Sequence, residues 1–309
     1  MKLKTKAFCP AGISSFFQIC DSDERGSPLT DPKRIGSRGG GFAIKKGVLT
    51  EVEVEESEKK EIQIFINNDP APQAKTTKKV VEKLLKIADK PCRVKVKHIV
   101  EVPIGAGFGT SAAGALSVAM ALARALNLSL TLNEIGRIAH LAEIKCKTGL
   151  GTVSGLLYGG CVLVKEPGAP SSSLIDRIPV PPNYYLVVGV FQPRMTDEYL
   201  KKIDRSLINR IGKETLKKIL KKPSLSNFMK MSRRFAEETG LATERVIKLM
   251  DAAEYAGAVG AAQNMLGEAV HALVSNEKLN CLLRAFKERL PRERIIISRI
   301  ESGGVRLVR

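Results

Sequence analysis

Three glycines at alternate positions, Gly105, Gly107 and Gly109, separate a β-branched strand pattern from an alanine-rich helical pattern. Because glycine has no Cβ, the backbone N–H groups of such a turn can face inward and approach an anion closely. The helix that begins near Ser111 adds unpaired N–H donors and the positive end of its dipole. The Ser111 hydroxyl suits a phosphate oxygen or a magnesium ion carried by a nucleotide. The run 103–113, PIGAGFGTSAA, therefore predicts a phosphate-binding loop.

Glycine turns also occur as plain strand-to-helix connectors, so a connector without a ligand is the alternative. Two common nucleotide motifs are excluded by the spacing. The pattern G-x-x-x-x-G-K-[ST] is absent from the chain, which excludes a Walker-type loop. Thr110 stands where a dinucleotide fingerprint needs its third glycine, and no acidic residue follows at the ribose-binding distance.

The composition is that of a globular protein. A chain of 309 residues with 44% hydrophobic content is long enough for two modest domains or one large one. It has no apolar run of membrane-spanning length, and its start lacks the apolar stretch of a secretion signal. We therefore expect a cytoplasmic protein without a membrane partner. The six cysteines form no C-x-x-C pair, so we expect reduced, mostly buried thiols.

The formal net charge of +18 raises nucleic acid as a partner. Half of this surplus lies between Arg194 and Arg234, where 13 Lys and Arg stand against 4 Asp and Glu. The segment 284–309 adds 8 Lys and Arg against 3 Asp and Glu. Both segments almost lack the aromatic residues on which bases stack. We expect charged surfaces that attract anionic substrates, and no specific nucleic-acid partner.

The order of strand and helix patterns indicates two halves. Alternation predicts a hairpin at 42–56 around Lys46-Gly47, strands at 61–66, 93–102 and 161–164, and a strand pair around Gly303-Gly304. Helical spacing occurs at 76–88, 111–126, 132–147, 196–211, 213–221, 226–238 and 243–254. The Pro-, Gly- and Ser-rich stretch 166–183 has no periodicity and predicts the boundary. A buried strand at 184–191 starts the second half.

The helix at 132–147, which opens with a capping box, carries a candidate metal ligand. One face of it, distinct from the apolar stripe, consists of Gly136, His140, Glu143 and Lys147. A solvated helix face is the ordinary interpretation of such a set. A nucleotide site needs a carboxylate for magnesium, however, and Glu143 is a suitable hard oxygen ligand.

Together these pieces resemble the GHMP kinase superfamily, and most closely its archaeal pantoate kinase branch. The central motif of that superfamily, P-x-x-x-G-x-G-x-S-[SA], is matched from Pro103 to Ala112. Segments typical of the branch follow one another in the expected order over almost the whole chain. They are AFCPAGISSFF at the N-terminus, GSRGGG at 36–41, AHLAEIKCKTGLGTV from Ala139, Gly159-Gly160 followed by PGAP, and GAAQNMLGEAVHAL near the C-terminus.

The resemblance implies an α+β fold of the GHMP kinase type. Residues 1–170 would form an ATP-binding domain like ribosomal protein S5, with a left-handed β-α-β crossover. Residues 171–309 would form a ferredoxin-like domain. ATP would lie in the cleft between them. The chain does not reveal its oligomeric state, and a homodimer stays open.

The resemblance also implies roles for individual residues. The phosphates of ATP would lie on Pro103, Gly105, Ala106, Gly107, Phe108, Gly109, Thr110, Ser111 and Ala112. Ser111 and Glu143 would hold the magnesium ion. The positions that face the acceptor are Gly12, Ser37, Arg38, His140 and Lys165. Arg38 and Lys165 are candidate partners for a substrate carboxylate, although a family arginine aligns with Val164 rather than with Lys165.

Thr152 departs from the family pattern, because it occupies the position where many GHMP kinases place a catalytic aspartate. A threonine is no general base at neutral pH. The enzyme therefore works without that base, as the homoserine kinase branch does, or it is slow, or its substrate has changed. Loss of a base typically lowers the rate by about 10²–10⁴-fold and need not abolish phosphoryl transfer.

The activity implied is transfer of the γ-phosphoryl group of ATP to the primary hydroxyl of pantoate, which gives 4-phosphopantoate for coenzyme A synthesis. The alternatives are a GHMP kinase for another small hydroxy acid or alcohol, such as homoserine or a mevalonate derivative, and a catalytically weak nucleotide-binding homologue. A third alternative, from a different functional class, is a basic protein that binds nucleic acid.

Overall fold

A computed structural model describes residues 2–193 and 204–309. The strands are β1 (Lys2–Cys20), β2 (Gly36–Glu56), β3 (Glu61–Ile66), β4 (Asp69–Pro70), β5 (Cys92–Val100), β6 (Cys161–Glu166), β7 (Leu174–Ile178), β8 (Tyr184–Gln192), β9 (Gly260–Gln263), β10 (Glu268–Ser275), β11 (Ile295–Arg299) and β12 (Arg306–Val308). The α-helices are α1 (Lys75–Ala88), α2 (Thr110–Ala125), α3 (Leu132–Cys146), α4 (Thr152–Leu156), α5 (Arg205–Lys221), α6 (Leu225–Glu238), α7 (Glu244–Tyr255) and α8 (Leu279–Lys287). Two 3₁₀ turns lie at Asn276–Lys278 and Arg292–Arg294.

The first sheet is built mainly from the N-terminal half of the chain. Its strands follow the order β12-β1-β2-β5-β3-β4, and β6 and β7 extend it from β2. β3 and β5 are parallel, with α1 between them in sequence, and the other strand pairs of this sheet are antiparallel. The helices α1, α2 and α3 share an apolar core with one face of the sheet. This arrangement brings the end of β5 and the start of α2 to the middle of the sheet.

The hairpin expected at 42–56 is wrong, because residues 36–56 form one strand. β1 and β2 pair over almost their whole length, but the register shifts where Pro10 pairs with Gly47 and Ala11 pairs with Ile44. Lys45 and Lys46 are therefore a bulge in β2 and not a turn. The two lysines interrupt the alternation as a turn would, which is why the sequence pattern misled.

The second sheet has the order β11-β8-β10-β9, and all its neighbours are antiparallel. Numbered within this unit, the strand order is 4-1-3-2 with helices after the first and third strands, which is the ferredoxin-like arrangement expected. One apolar core fills the space between this sheet, the first sheet and the helices α5 and α6. A further core lies against α7 and α8.

The helical prediction at 196–211 extends into residues 194–203, which lie outside the described residues. From Arg205 onward this segment and the one expected at 213–221 form the single helix α5. Gly212 lies inside α5 because a Cβ there would collide with the carbonyl oxygen of Phe17 in β1. The glycine thus marks a close approach between helix and strand and not a break.

The C-terminal strand pair around Gly303-Gly304 is also wrong, because its two strands belong to different sheets. β11 pairs with β8, and β12 pairs with β1. β7 likewise pairs with β6 in the first sheet, although it follows residue 170. The division at 170/171 stays a prediction, and the chain crosses between the sheets on the C-terminal side of β7 and again before β12.

The six cysteines are free thiols, and Cys9, Cys92 and Cys161 are buried. Among the helices of residues 2–193 and 204–309, none combines the length and apolarity needed to cross a bilayer.

Candidate active site

The glycine loop lies between β5 and α2, as the sequence predicts. Gly105, Gly107 and Gly109 have φ angles of 81°, 77° and 57°, in the left-handed region that favours glycine. Gly109 is the N-cap of α2, so the first N–H groups of that helix have no helical acceptor. The N–H of Gly107 has no acceptor within the part of the chain that the structure describes. The loop therefore offers unpaired donors to an anion.

Two segments hold the loop from either side. In β1, the N–H of Gly12 donates to the carbonyl oxygen of Phe108 at 3.0 Å. On the other side lies the loop between β9 and β10, where a Cβ on Gly267 would come within 2.5 Å of the Ala106 carbonyl carbon. A Cβ on Gly107 would lie 2.8 Å from the Cβ of Asn264. Glycine is therefore required on both sides of this contact, and the second sheet forms one wall of the site.

Ser111 and Glu143 lie together in a ring of oxygen atoms. The Ser111 hydroxyl is near enough to Glu143 to lower the pKa of its carboxyl, and its Oγ lies 3.5 Å from the Thr76 hydroxyl. Thr76 is 2.9 Å from the Thr148 hydroxyl, which donates to Glu143 Oε1 at 3.2 Å. Four segments of chain, from α1, α2, α3 and the residues after α3, thus meet around one carboxylate.

Glu143 is 2% exposed, and burial raises the pKa of its carboxyl from 4.5 to about 7, against the hydrogen bonds from Ser111 and Thr148, which lower it. Among the described residues no Lys, Arg or His forms an ion pair with this carboxylate. A buried carboxylate without a cation costs several kcal/mol. Magnesium is usually bound through one or two carboxylates together with substrate phosphates, so Glu143 and Ser111 beside a phosphate loop fit such an ion.

A cleft of about 810 Å³ opens in front of the loop. Many of the residues expected in the site line it: Gly12, Ser37, Gly105, Gly107, Phe108, Gly109, Thr110, Ser111 and Thr152. Thr148, Gly149, Met265 and Gly267 line the same cleft. The volume is in the range of small-molecule sites. Residues expected to bind phosphate and two of those expected to face the acceptor, Gly12 and Ser37, therefore share one space.

Thr152 begins α4 and lies directly against the glycine loop. Its methyl group would be 2.8 Å from a Cβ on Gly109 and 3.2 Å from a Cβ on Gly12. Both glycines are therefore needed for the contact. The position that the resemblance assigns to a base is thus next to the phosphate loop, but it presents a hydroxyl and a methyl group instead of a carboxylate.

Three residues expected to face the acceptor do not line this cleft, although one of them, Arg38, lines an adjoining pocket together with Gly12, Ser37 and Thr152. Arg38 and Lys165 line a neighbouring cavity, where Arg38 donates to Glu166 at 2.7 Å and to the Lys165 carbonyl oxygen at 3.1 Å. His140 is 1% exposed, and its Nε2 lies 3.0 Å from the carbonyl oxygen of Ile35. Burial lowers the pKa of His140. The solvated helix face considered above is therefore wrong for Gly136, His140 and Glu143, which are buried.

For several residues around the loop the sequence predicted no individual role. They are Ser15, Thr76, Thr148, Asn264, Gly267 and His271. Asn264, Gly267 and His271 belong to the segment GAAQNMLGEAVHAL. That segment contributed to the family resemblance, but the resemblance assigned no function to its residues. Thr76 gave no signal, since a threonine in the first turn of a helix is ordinary.

Comparisons with known proteins identify relatives over nearly the whole chain. A family model described as the GHMP kinases N terminal domain matches residues 75–160. A pantoate kinase of Methanocaldococcus jannaschii is 33% identical over 282 residues, which cover 91% of this chain and 96% of that protein. A pantoate kinase of Thermococcus kodakarensis is 32% identical over 276 residues, 88% of each chain. A solved structure described as a phosphotransferase related to the CoA biosynthesis pathway superposes with a TM-score of 0.88 at 29% identity over 99% of both chains.

These relatives and the solved structure cover nearly the whole length of the chain. The resemblance stated from the sequence and the α+β fold of the GHMP kinase type are confirmed. The chain belongs to the GHMP kinase superfamily, in its archaeal pantoate kinase branch.

Proposed function

We propose that this chain transfers the γ-phosphoryl group of ATP to the primary hydroxyl of pantoate and forms 4-phosphopantoate. The observation that carries the proposal is the convergence, in one cleft, of the glycine loop, Ser111 and the acceptor-side residues Gly12, Ser37 and Thr152. Relatives named pantoate kinase, aligned over about nine-tenths of the chain, support the choice of acceptor. ATP as the donor follows from membership in a kinase family.

Ser111 and Glu143 are the residues that would hold magnesium together with the phosphates. A bound magnesium ion would neutralise part of the charge on the β- and γ-phosphates. Glu143 is suited to this because its carboxylate is buried and has no cationic partner among the described residues. Thr148 fixes the carboxylate by donating to Oε1 at 3.2 Å.

The glycine loop would hold the phosphate chain through its backbone. Phosphoryl transfer has a loose transition state, so most of the catalysis is positioning and stabilisation of charge on oxygen atoms. The N–H of Gly107 and the first N–H groups of α2 are unpaired donors that require no reorganisation during the reaction. Their orientation is fixed by the contacts of the loop with Gly12 and Gly267.

The acceptor would lie between Thr152 and Ser37, with its carboxylate toward Arg38. Arg38 is one-third exposed, and its Nε, Nη1 and Nη2 contact the Lys165 carbonyl oxygen, Cys20 Sγ and Glu166. A guanidinium has five N–H donors, so Nη1 and Nη2 each keep one N–H that a carboxylate could accept from. Lys165 is the weaker candidate because it lies 3.5 Å from Asp176. The Thr152 hydroxyl can orient the acceptor hydroxyl but cannot take its proton at neutral pH, so proton transfer would follow P–O cleavage.

A coupled assay of ADP formation tests the proposal. Magnesium and ATP would be supplied with pantoate, homoserine, mevalonate or shikimate. We expect the highest kcat/KM with pantoate. A higher value with another acceptor would identify a different GHMP kinase activity, and ATP binding without turnover on any of them would leave a nucleotide-binding homologue.

Two substitutions test the assigned residues. Ser111→Ala and Glu143→Ala should each lower kcat by at least about 10²-fold, since each removes a group that acts on the charge of the transition state. Ser232→Ala is the matched control, because the Ser232 hydroxyl is buried in α6 and has no hydrogen-bond partner within residues 2–193 and 204–309. Full activity in both site variants would refute the assignment.

A further inference from the structure

A chain of buried polar side chains connects the second sheet to the glycine loop. Ser15 in β1, Asn264 after β9 and His271 in β10 are each 0% exposed. Ser15 Oγ lies 2.9 Å from His271 Nε2, and His271 Nδ1 lies 2.9 Å from Asn264 Oδ1. Asn264 Nδ2 donates to the carbonyl oxygen of Ala106 at 3.4 Å. The chain thus ends on a backbone atom of the phosphate loop.

The direction of each hydrogen bond follows from this end point. A backbone carbonyl oxygen only accepts, so the Asn264 amide must present its NH₂ to Ala106. Its Oδ1 then accepts from Nδ1–H of His271, whose Nε2 is left to accept from the Ser15 hydroxyl. His271 is therefore a neutral Nδ1–H tautomer, and reversal of either link of Asn264 would bring two acceptors together.

A nucleophile, a histidine and an orienting carboxylate or amide follow one another in the same order in nucleophilic hydrolases. That function does not fit here, because all three side chains are 0% exposed and the ring of His271 packs edge-on against Phe42. A substrate has no access to the Ser15 hydroxyl. The chain of hydrogen bonds must act through what it holds, and it holds the Ala106–Gly107 peptide.

We propose that His271 is a positioning residue of the phosphate site, which, through Asn264 and the Ala106 carbonyl, directs the Gly107 N–H into the cleft. In a trans peptide the C=O and the following N–H point in opposite directions. With the Ala106 oxygen held by Asn264, the Gly107 N–H faces away from the β9–β10 loop. It has no acceptor in the described residues, and Gly107 lines the cleft. The inference rests on the proposed function, since the anion that this N–H would meet is a phosphate of ATP.

The loop that carries Asn264 is itself rigidly held. Gln263 Nε2 donates to the Gly267 carbonyl oxygen at 3.0 Å, and the N–H of Met265 donates to the Ser14 carbonyl oxygen at 2.8 Å. His271 thus fixes an amide whose backbone is already fixed on both sides. Rotation of the Asn264 side chain is the remaining freedom, and its hydrogen bond to His271 removes it.

The first test is the tautomer of His271. The chain has three histidines, so ¹⁵N NMR of the imidazoles can be assigned with His98→Gln and His140→Gln. We expect His271 to show a protonated Nδ1 and an unprotonated Nε2. A protonated Nε2 would reverse the hydrogen bonds and overturn the proposal.

The second test is ATP affinity, measured by calorimetry without an acceptor. Asn264→Asp keeps the shape of the side chain but removes the donor to Ala106, and we expect a Kd for ATP raised about tenfold or more. His271→Gln should act in the same direction, and Ser15→Ala, one link further away, should act least. Asn227→Asp is the matched control, since Asn227 Nδ2 also donates to backbone carbonyl oxygens, those of Lys218 and Lys222, outside the cleft.

The outcomes separate this inference from the proposed function. If the wild type binds no ATP, the proposed function fails. If the wild type binds ATP and the folded Asn264→Asp and His271→Gln variants bind it equally well, the hydrogen-bonded chain only stabilises the fold and this inference fails. A loss of affinity in these two variants that exceeds the loss in Asn227→Asp supports it.

Discussion

Replacement of Glu143 by glutamine is expected to stabilise the ATP-free protein above neutral pH and to remove its activity. The carboxylate is 2% exposed, accepts from Thr148 at 3.2 Å and has no cation beside it among the described residues. Glutamine keeps the shape and an oxygen that can accept the same hydrogen bonds. It carries no charge, so the cost of an ionised group in this position disappears.

The magnitude follows from the raised pKa. Burial moves the pKa of Glu143 from 4.5 to about 7, and each pKa unit corresponds to about 1.4 kcal/mol. Because the folded pKa lies above the unfolded one, the stability contributed by this group is fully present below pH 4.5 and is lost as the pH rises through 7. The loss between pH 5 and pH 9 is about 3 kcal/mol, a large part of the 5–15 kcal/mol typical of a folded protein.

Urea unfolding at pH 5, 7 and 9 without nucleotide or magnesium measures the effect. The free energy of unfolding of Glu143→Gln, relative to the wild type, should increase by about 3 kcal/mol from pH 5 to pH 9. Glu277→Gln, at an exposed position, is the control and should follow the wild type at each pH. A difference between Glu143→Gln and the wild type that does not change with pH would refute the reasoning, because the carboxylate would then be ionised without penalty.

Three further changes are expected to have measurable effects. Gly267→Ala places a Cβ 2.5 Å from the carbonyl carbon of Ala106, so it should displace the phosphate loop and raise the Kd for ATP about tenfold or more in calorimetry. Thr152→Asp should leave or raise kcat in the ADP assay, since it restores a carboxylate at the position of the family base. Acid should unfold the protein through His98 and His271, whose pKa values burial lowers from 6.5 to about 4 and about 3. A folded pKa below the unfolded one means that stability is full above pH 6.5 and falls below it, by about 5 kcal/mol for the two at pH 4.5 in urea unfolding.

Each of these expectations has a contrary result. Wild-type ATP affinity in Gly267→Ala would mean that the two loops move apart freely. A large loss of kcat in Thr152→Asp that Thr152→Ser does not share would give the threonine hydroxyl a role of its own. The acid experiment is done in the Glu143→Gln background, because protonation of Glu143 acts in the opposite direction. The same pH dependence after His98→Gln would show that this imidazole is not the group that titrates.

Elements fixed by local chemistry were predictable from the sequence. The alternate glycines, the capping box at Thr131 and Glu134, and the apolar spacing of α1 each act within a few residues, and the structure has all three. The two hairpins failed because strand pairing is settled by distant partners. β12 lies beside β1 at the other end of the chain, and nothing within 295–309 encodes that.

The same distinction applies to the candidate site. The glycine loop, Ser111 and Glu143 could be predicted, because a sequence motif and helical spacing identify them. The residues that support them could not be predicted, because the members of each contact are far apart in sequence. Ser15 and His271 are separated by 256 positions, and Thr76 and Thr148 by 72 positions. A buried serine, threonine or histidine has no pattern of its own in a single sequence, so only the assembled fold shows which of them meet.

Two sets of buried polar side chains lie beside the phosphate loop, one around Glu143 and one around His271, and each lowers the stability of the fold relative to an apolar core. An apolar core would hold the loop with less penalty, but apolar contact is non-directional, whereas a hydrogen bond fixes an angle as well as a distance. Phosphoryl transfer depends on donors that already point at the transferred group. On one side Thr148 and Ser111 orient Glu143, and on the other His271 and Asn264 orient the backbone. Burial of the uncompensated carboxylate of Glu143 and of the hydrogen-bonded imidazole of His271 is therefore expected where direction matters more than cohesion. Replacing either group to gain stability should weaken nucleotide binding.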